Sequence, residues 1–171
     1  MRYLVLAALI FVAACKEELA KAPPAVEMTE DTLAHFCQMN ISEHPGPKGQ
    51  VHLEGFDAPI FFAQVRDLMA YLKSGERDAD ILAVYVSDMG RAASWDDVAG
   101  DNWIAAEAAH FVVDAGVAGG MGAPEIVPFA TPEGAASFVE RYGGVVVSLE
   151  DIPDEAALAP VDLDQPLKDP A

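Results

Sequence analysis

From residue 50 onward the chain alternates short apolar runs with polar punctuation, and the period of those runs changes in a repeated order. Gln50–Phe56 alternates apolar and polar residues at the period of a half-buried strand. An Asp57-Ala58 turn then leads into a short aromatic strand, Pro59–Phe62. Over Gln64–Leu72 the period lengthens, with Val65, Leu68, Met69 and Leu72 falling on one face of a helix. Ile81–Val86 is a nearly continuous apolar run, which reads as a buried strand, and it ends in the turn-like Ser87-Asp88-Met89-Gly90.

The second half repeats this order of strand, strand, helix, strand. Trp103 with Ala108–Val113 reads as the first strand, Ile126–Phe129 as the second, Pro132–Tyr142 as the helix and Val145–Leu149 as the last strand. Thr131 is an N-cap with Pro132 at the first helical position, and Gly143-Gly144 stops the helix. Two ββαβ units of about 40 to 50 residues follow, a repeat of element order only. Hairpin-like strand pairs with only two helices predict an α+β class with mostly antiparallel sheet.

The N-terminus belongs to neither unit. Arg2 is followed by an apolar run from Leu4 to Val12 that is too short to span a bilayer, and then by Ala13, Ala14 and Cys15. Val12-Ala13-Ala14-Cys15 resembles the lipobox of a bacterial lipoprotein, cut before a lipidated cysteine. The expected organisation is a signal peptide over 1–14, a tether over 15–29, a folded domain over 30–150 and a flexible acidic tail over 151–171. Lys16 after the lipidated Cys15 is not the aspartate associated with inner-membrane retention, which favours the outer membrane.

Charge narrows the partners. The formal charge is −18, with 10 basic residues against 28 acidic ones, so no basic surface exists to neutralise phosphates and nucleic acid is excluded. Such acidity suits a solvated surface and steers the protein toward basic partners or cations. The sequence has no P-loop, dinucleotide-binding glycine pattern, nucleophile elbow or announced acid–base carboxylate pair.

Sulfur is the more telling chemistry. The chain has two cysteines, and with Cys15 committed to lipid, Cys37 has no disulfide partner in an oxidising compartment. It stands in His35-Phe36-Cys37-Gln38-Met39. On an extended strand Cys37 and Met39 emerge on one face, a thiolate and a thioether aimed at a single ion, and soft sulfur selects Cu(I). The same two residues also suit core packing, where unpaired Cys and Met usually sit. Met121, in Gly119-Gly120-Met121-Gly122-Ala123-Pro124, is a second thioether on a loop whose glycines leave it uncovered. It is a third candidate ligand, an interface anchor or a core residue. Of the four histidines none has the i, i+4 spacing of a zinc helix. His35, beside the sulfur pair, and His110, in a predicted strand, are secondary candidates because Cu(I) accepts imidazole along with sulfur.

Taken together, these stretches resemble the NosL family, accessory lipoproteins of nitrous oxide reductase. The matching pieces run in order from Phe36-Cys37-Gln38-Met39 through His44-Pro45-Gly46-Pro47-Lys48-Gly49-Gln50, Val65-Arg66-Asp67 and Val86-Ser87-Asp88-Met89-Gly90-Arg91. They continue with Trp103-Ile104, Gly119-Gly120-Met121-Gly122-Ala123-Pro124-Glu125 and Tyr142-Gly143-Gly144. The resemblance puts the family's Cys-x-Met motif on Cys37 and Met39 and its glycine-flanked methionine on Met121. It departs at Gln38, where the family more often has glycine.

The resemblance implies a fold shared with organomercurial lyase. It also implies a membrane-anchored periplasmic Cu(I) chaperone that hands copper to the assembly machinery of nitrous oxide reductase, a membrane transporter complex or the reductase itself, for the copper–sulfide centre. Organomercurial cleavage needs more than one free thiol, and the chain has only Cys37 to offer, so no enzymatic activity is expected. The alternative is a metal-free scaffold in which the acidic surface and the Met121 loop dock the same machinery and Cys37 is buried.

Overall fold

The computed structural model describes residues 22–77, 79–162, 164 and 166–170. The signal peptide over 1–14, the lipidation candidate Cys15 and the start of the tether lie outside the described residues. The strands are β1 (Gly49–Leu53), β2 (Ile60–Phe62), β3 (Ile81–Ser87), β4 (Trp103–Ala105), β5 (His110–Val113), β6 (Val127–Phe129) and β7 (Val145–Val147). The helices are α1 (Val65–Lys73), α2 (Pro132–Tyr142) and α3 (Asp154–Leu158), with single 3-10 turns at Ile41–Glu43 and Ala106–Ala108. No helix among the described residues is long and apolar enough to cross a membrane.

Two antiparallel sheets carry the fold, one in the order β2-β1-β3-β4 and the other in the order β6-β5-β7. The class is α+β, and each half runs strand, strand, helix, strand. Helix α2 has the expected bounds, and Thr131 Oγ1 accepts the Gly134 N–H at 3.1 Å as its N-cap. The largest cluster of buried side chains joins the halves. Val51, Phe62, Val65, Leu68 and Val86 from the first pack with Phe111, Val113 and Ile126 from the second. Because successive strand residues face opposite ways, Val112 of β5 points instead to a second core with Trp95, Phe129 and Phe138 under α2. Asp88 ties the sheets at their ends: its Oδ1 accepts the N–H groups of Gly90 and Ala130 at 2.9 and 3.0 Å.

Three expectations need revision. Trp103 does not begin the first strand of the second unit. It lies in β4, opposite Ser87 of β3, and the 3-10 turn at Ala106–Ala108 carries the chain into the second sheet. The polar face of β1 is not exposed, because the end of the tether covers it. Gln50 accepts the Val26 N–H at 2.8 Å and donates to the Val26 carbonyl at 2.9 Å, as a backbone partner would. Finally, the flexible tail expected over 151–171 is docked where it carries α3. Ile152 and Ala157 are buried in the main core, and Arg66 donates to the carbonyls of Ala156 and Ala159 at 2.9 and 2.5 Å. Further on, the Lys168 carbonyl accepts the Ala118 N–H at 2.9 Å and its N–H donates to Gly116 at 2.8 Å. The acids of this segment stay in water while Ile152 and Ala157 are buried in the main core.

Candidate metal centre

The sulfur motif is a turn, not the extended strand read from its spacing. Leu33 pairs with Asn40, and Ala34 donates its N–H to the Met39 carbonyl at 2.9 Å. The residues between them reverse the chain. Gln38 closes the reversal by donating its N–H to the Ala34 carbonyl at 2.9 Å, with φ of 56°. That left-handed conformation is strained for a side chain other than glycine. Gln38 offsets the strain by donating Nε2 to the His35 carbonyl at 2.6 Å.

The turn leaves Cys37 as a free, half-buried thiol packed against the buried cluster of Ala34, Ile41 and Ala63. Met39 is 43% exposed and Phe36 54%. The His35 ring packs edge-on against Phe62 and Tyr71, each at a centroid distance of 5.7 Å, and lies 5.2 Å from the Phe36 ring. His110 stands apart, in β5 opposite Phe129, with no hydrogen bond or ring contact to the turn among the described residues.

Met121 rides on a hairpin loop. Gly119 donates to the Ala123 carbonyl at 2.8 Å and Gly122 to the Gly119 carbonyl at 2.9 Å, while Ala118 pairs with Pro124. Gly122 takes φ of 77°, and Gly120 is wedged so closely among His44, the Pro45 carbonyl and the Ala63 carbonyl that a Cβ would collide with them. Met121 is left 42% exposed. Cys37 packs against the small cluster that contains Ala63, and the Met121 loop lies against the Ala63 carbonyl and the Gln64 side chain, so both sulfur-bearing segments adjoin the region where β2 passes into α1.

Beneath the loop lies a polar cluster that the sequence analysis missed. Gln64 Oε1 accepts the Met121 N–H at 3.1 Å, and Glu125 Oε1 accepts the N–H groups of Arg66 and Ile126 at 2.9 and 2.8 Å. Burial pushes Glu125 up to about 8, against the pull of those two donors and of Lys48. Lys48 is buried with Nζ donating to the carbonyls of His44, Pro45 and Gly46 at 2.6, 3.1 and 2.5 Å. Burial lowers it to about 8, with Glu125 pulling it back up. Three carbonyls match the three donors of an ammonium, so Lys48 is a cation at neutral pH.

His44 Nδ1 is 3.1 Å from the Gly120 carbonyl, which can only accept, so the hydrogen sits on Nδ1. The only sequence signals for this cluster are charged or amide residues flanking the glycine and proline motifs. The two contacts that join the loop to the start of α1 span 57 and 59 residues, and no local pattern encodes them.

The donor set decides what the centre suits. No group of three His, Cys, Asp or Glu side chains able to hold a metal forms among the described residues. What the surface offers is one thiol and two thioethers, a match for a soft monovalent ion and a poor one for zinc or calcium.

A family model described as NosL matches residues 25–157. The copper-binding lipoprotein NosL of Achromobacter cycloclastes is 52% identical over 160 residues, covering 93% of this chain and 83% of the relative. The copper-binding lipoprotein NosL of Stutzerimonas stutzeri is 33% identical, covering 84% of this chain and 73% of the relative. Among solved structures, the crystal structure of the copper chaperone NosL from Shewanella denitrificans superposes with a TM-score of 0.71 at 32% identity, covering 77% of this chain and 98% of that one. The solution structure of apo-NosL from Achromobacter cycloclastes gives 0.50 at 51% identity, covering 67% and 92%.

Proposed function

The chain belongs to the NosL family, and from that footing we propose that it is a lipid-anchored periplasmic carrier of Cu(I) that supplies copper for the maturation of nitrous oxide reductase. Cu(I) is its cargo, passed on unchanged, so the protein acts as a carrier and not as an enzyme. The observation that carries this reading is the exposure of Met39 and Met121 beside a half-buried free thiol. Methionine normally packs inward, and two left open on segments that adjoin the end of β2 and the start of α1 are available to a ligand.

The mechanism follows from the ligands. Cys37 supplies the thiolate, and a bound cation lowers the thiol's proton affinity. Met39 and Met121 supply neutral thioethers, which raise affinity for Cu(I) over Cu(II) without adding charge. A shallow three-coordinate ion keeps an open side, so a ligand of the receiving protein can attach before the last sulfur lets go. The recipient is the assembly machinery of the reductase, a membrane transporter complex or the reductase itself. Lipidation of Cys15 holds the carrier at the membrane, and Lys16 after it suits the outer one.

An anaerobic titration of the full chain with Cu(I) against a colorimetric chelator tests the reading. Stoichiometric capture that collapses in Cys37→Ser and weakens in Met39→Leu supports it. Absence of competition in the intact protein would favour the metal-free scaffold.

A further inference from the structure

Gln64 precedes the first turn of α1, the position of an N-cap, yet its side chain caps nothing in its own helix. It reaches across to the hairpin loop instead, where Oε1 accepts the Met121 N–H at 3.1 Å. Its Nε2 donates to Asp67 Oδ1 at 2.9 Å. A carboxylate on the nitrogen fixes the amide's orientation, so the oxygen is the atom offered to the loop. A second bond runs the opposite way: Glu125, at the far end of the same loop, accepts the Arg66 N–H of α1 at 2.9 Å. The helix end holds the loop and the loop caps the helix end. Between them Gly119 lies so close to Glu125 Oε2 and Gln64 Oε1 that no Cβ fits. Gln64 is also covalently next to Ala63, a member of the buried cluster against which Cys37 packs.

We propose that Gln64 is a positioning residue of the copper site, fixing the Met121 backbone relative to the Cys37 turn, with Asp67 orienting it and Glu125 as the counter-clamp. This rests on the reading of Cys37, Met39 and Met121 as the ligands. The physical need is entropic. A methionine on a glycine-rich loop gives one weak neutral donor and loses loop and side-chain freedom each time it binds, so an anchored loop raises affinity. Anchoring the backbone amide leaves the side chain free to swing, and the sulfur can be released to an acceptor.

The test uses the full chain and Cu(I), with affinity read by chelator competition, sulfur neighbours counted by X-ray absorption and folding followed by urea midpoint. Gln64→Ala is expected to weaken binding about tenfold and to drop one sulfur neighbour. In a Met121→Leu background the same change should have no further effect on affinity. Combining Gln64→Glu with Asp67→Asn exchanges donor and acceptor while keeping an oxygen on the Met121 N–H, and it should restore both readouts. This pair also serves if Gln64→Ala fails to fold.

Wild-type affinity and sulfur count in Gln64→Ala would overturn the positioning role. So would a loss in Gln64→Ala that persists undiminished without the Met121 sulfur. Unchanged affinity in Met121→Leu alone would instead remove Met121 from the ligand set, and the positioning role with it, while Cys37→Ser separately tests whether the protein carries copper at all.

Discussion

Gln38 donates its backbone N–H to the Ala34 carbonyl at 2.9 Å from a left-handed conformation, φ 56°. The two residues thereby close the turn that bears Cys37 and Met39, at a conformational cost of roughly 1–2 kcal/mol for a residue with a Cβ. Gln38→Gly removes that cost but also the Nε2 bond to His35, so its stability should stay within about 1 kcal/mol of the parent. Gln38→Val adds β-branching where it fits worst and should lose about 1 kcal/mol or more, with weaker copper binding. Urea midpoints of the two variants check this; equal stability of the valine and glycine forms would contradict the turn.

The thioethers separate function from folding. Met39 and Met121 are 43% and 42% exposed, and replacing an exposed methionine by leucine changes stability by about 0.5 kcal/mol or less. Met39→Leu and Met121→Leu should therefore melt like the parent while each weakens Cu(I) binding by about tenfold, equivalent to ~1.4 kcal/mol. A loss of stability without a loss of affinity in either variant would return that residue to a packing role.

The legible parts of the sequence were those with a local cause. Helix α2 follows from Thr131, Pro132 and the two glycines after Tyr142, and α1 from the spacing of Val65, Leu68 and Met69. The sulfur residues could be nominated from chemistry and resemblance, yet their geometry could not, because a two-residue spacing fits strand and turn alike and only the φ of Gln38 distinguishes them. Trp103 was assigned to the wrong sheet because register across β3 and β4 is a long-range property. Gln64, Lys48 and Glu125 escaped notice because polar residues look solvated until the chain folds over them.

The buried Glu125 and Lys48 make stability depend on pH. Folding raises Glu125 from 4.5 to about 8, so between those values the folded protein holds a proton that the unfolded chain has released. Stability therefore falls as pH rises through that window, by on the order of 5 kcal/mol, and burial of Asp67 acts in the same direction from its ordinary 3.8. Lys48 is lowered from 10.5 to about 8, so above pH 8 the unfolded chain holds the extra proton and stability recovers toward pH 10.5. Urea midpoints should pass through a minimum near pH 8. Glu125→Gln keeps an oxygen for the Arg66 and Ile126 N–H groups and should flatten the acid side of that curve. A curve equally steep in the variant would show that Glu125 is not its source.

The segment beyond residue 150 gives the last prediction. Ile152 is almost fully buried in the main core, and α3 docks on α1 through Arg66, which donates to the carbonyls of Ala156 within it and Ala159 just after it. Lys73 adds a bond to the Ile152 carbonyl at 2.8 Å and a partly exposed pair with Asp154 at 2.7 Å. An exposed ion pair of this kind is worth under about 1 kcal/mol, so burial of Ile152 dominates. Ile152→Ala should cost about 2–4 kcal/mol and Asp154→Ala less than about 1. Ending the chain at 150 removes the whole patch and leaves Arg66 facing no carbonyls, so that variant should melt well below the parent or fail to fold. Although α1 also carries Arg66 and Asp67 at the copper-side junction, Ile152 lies in the main core, so Ile152→Ala should weaken Cu(I) binding only where it begins to unfold the protein. Parallel melting and titration curves check this: a binding loss at temperatures where the variant is fully folded would mean that α3 reaches the metal centre through α1.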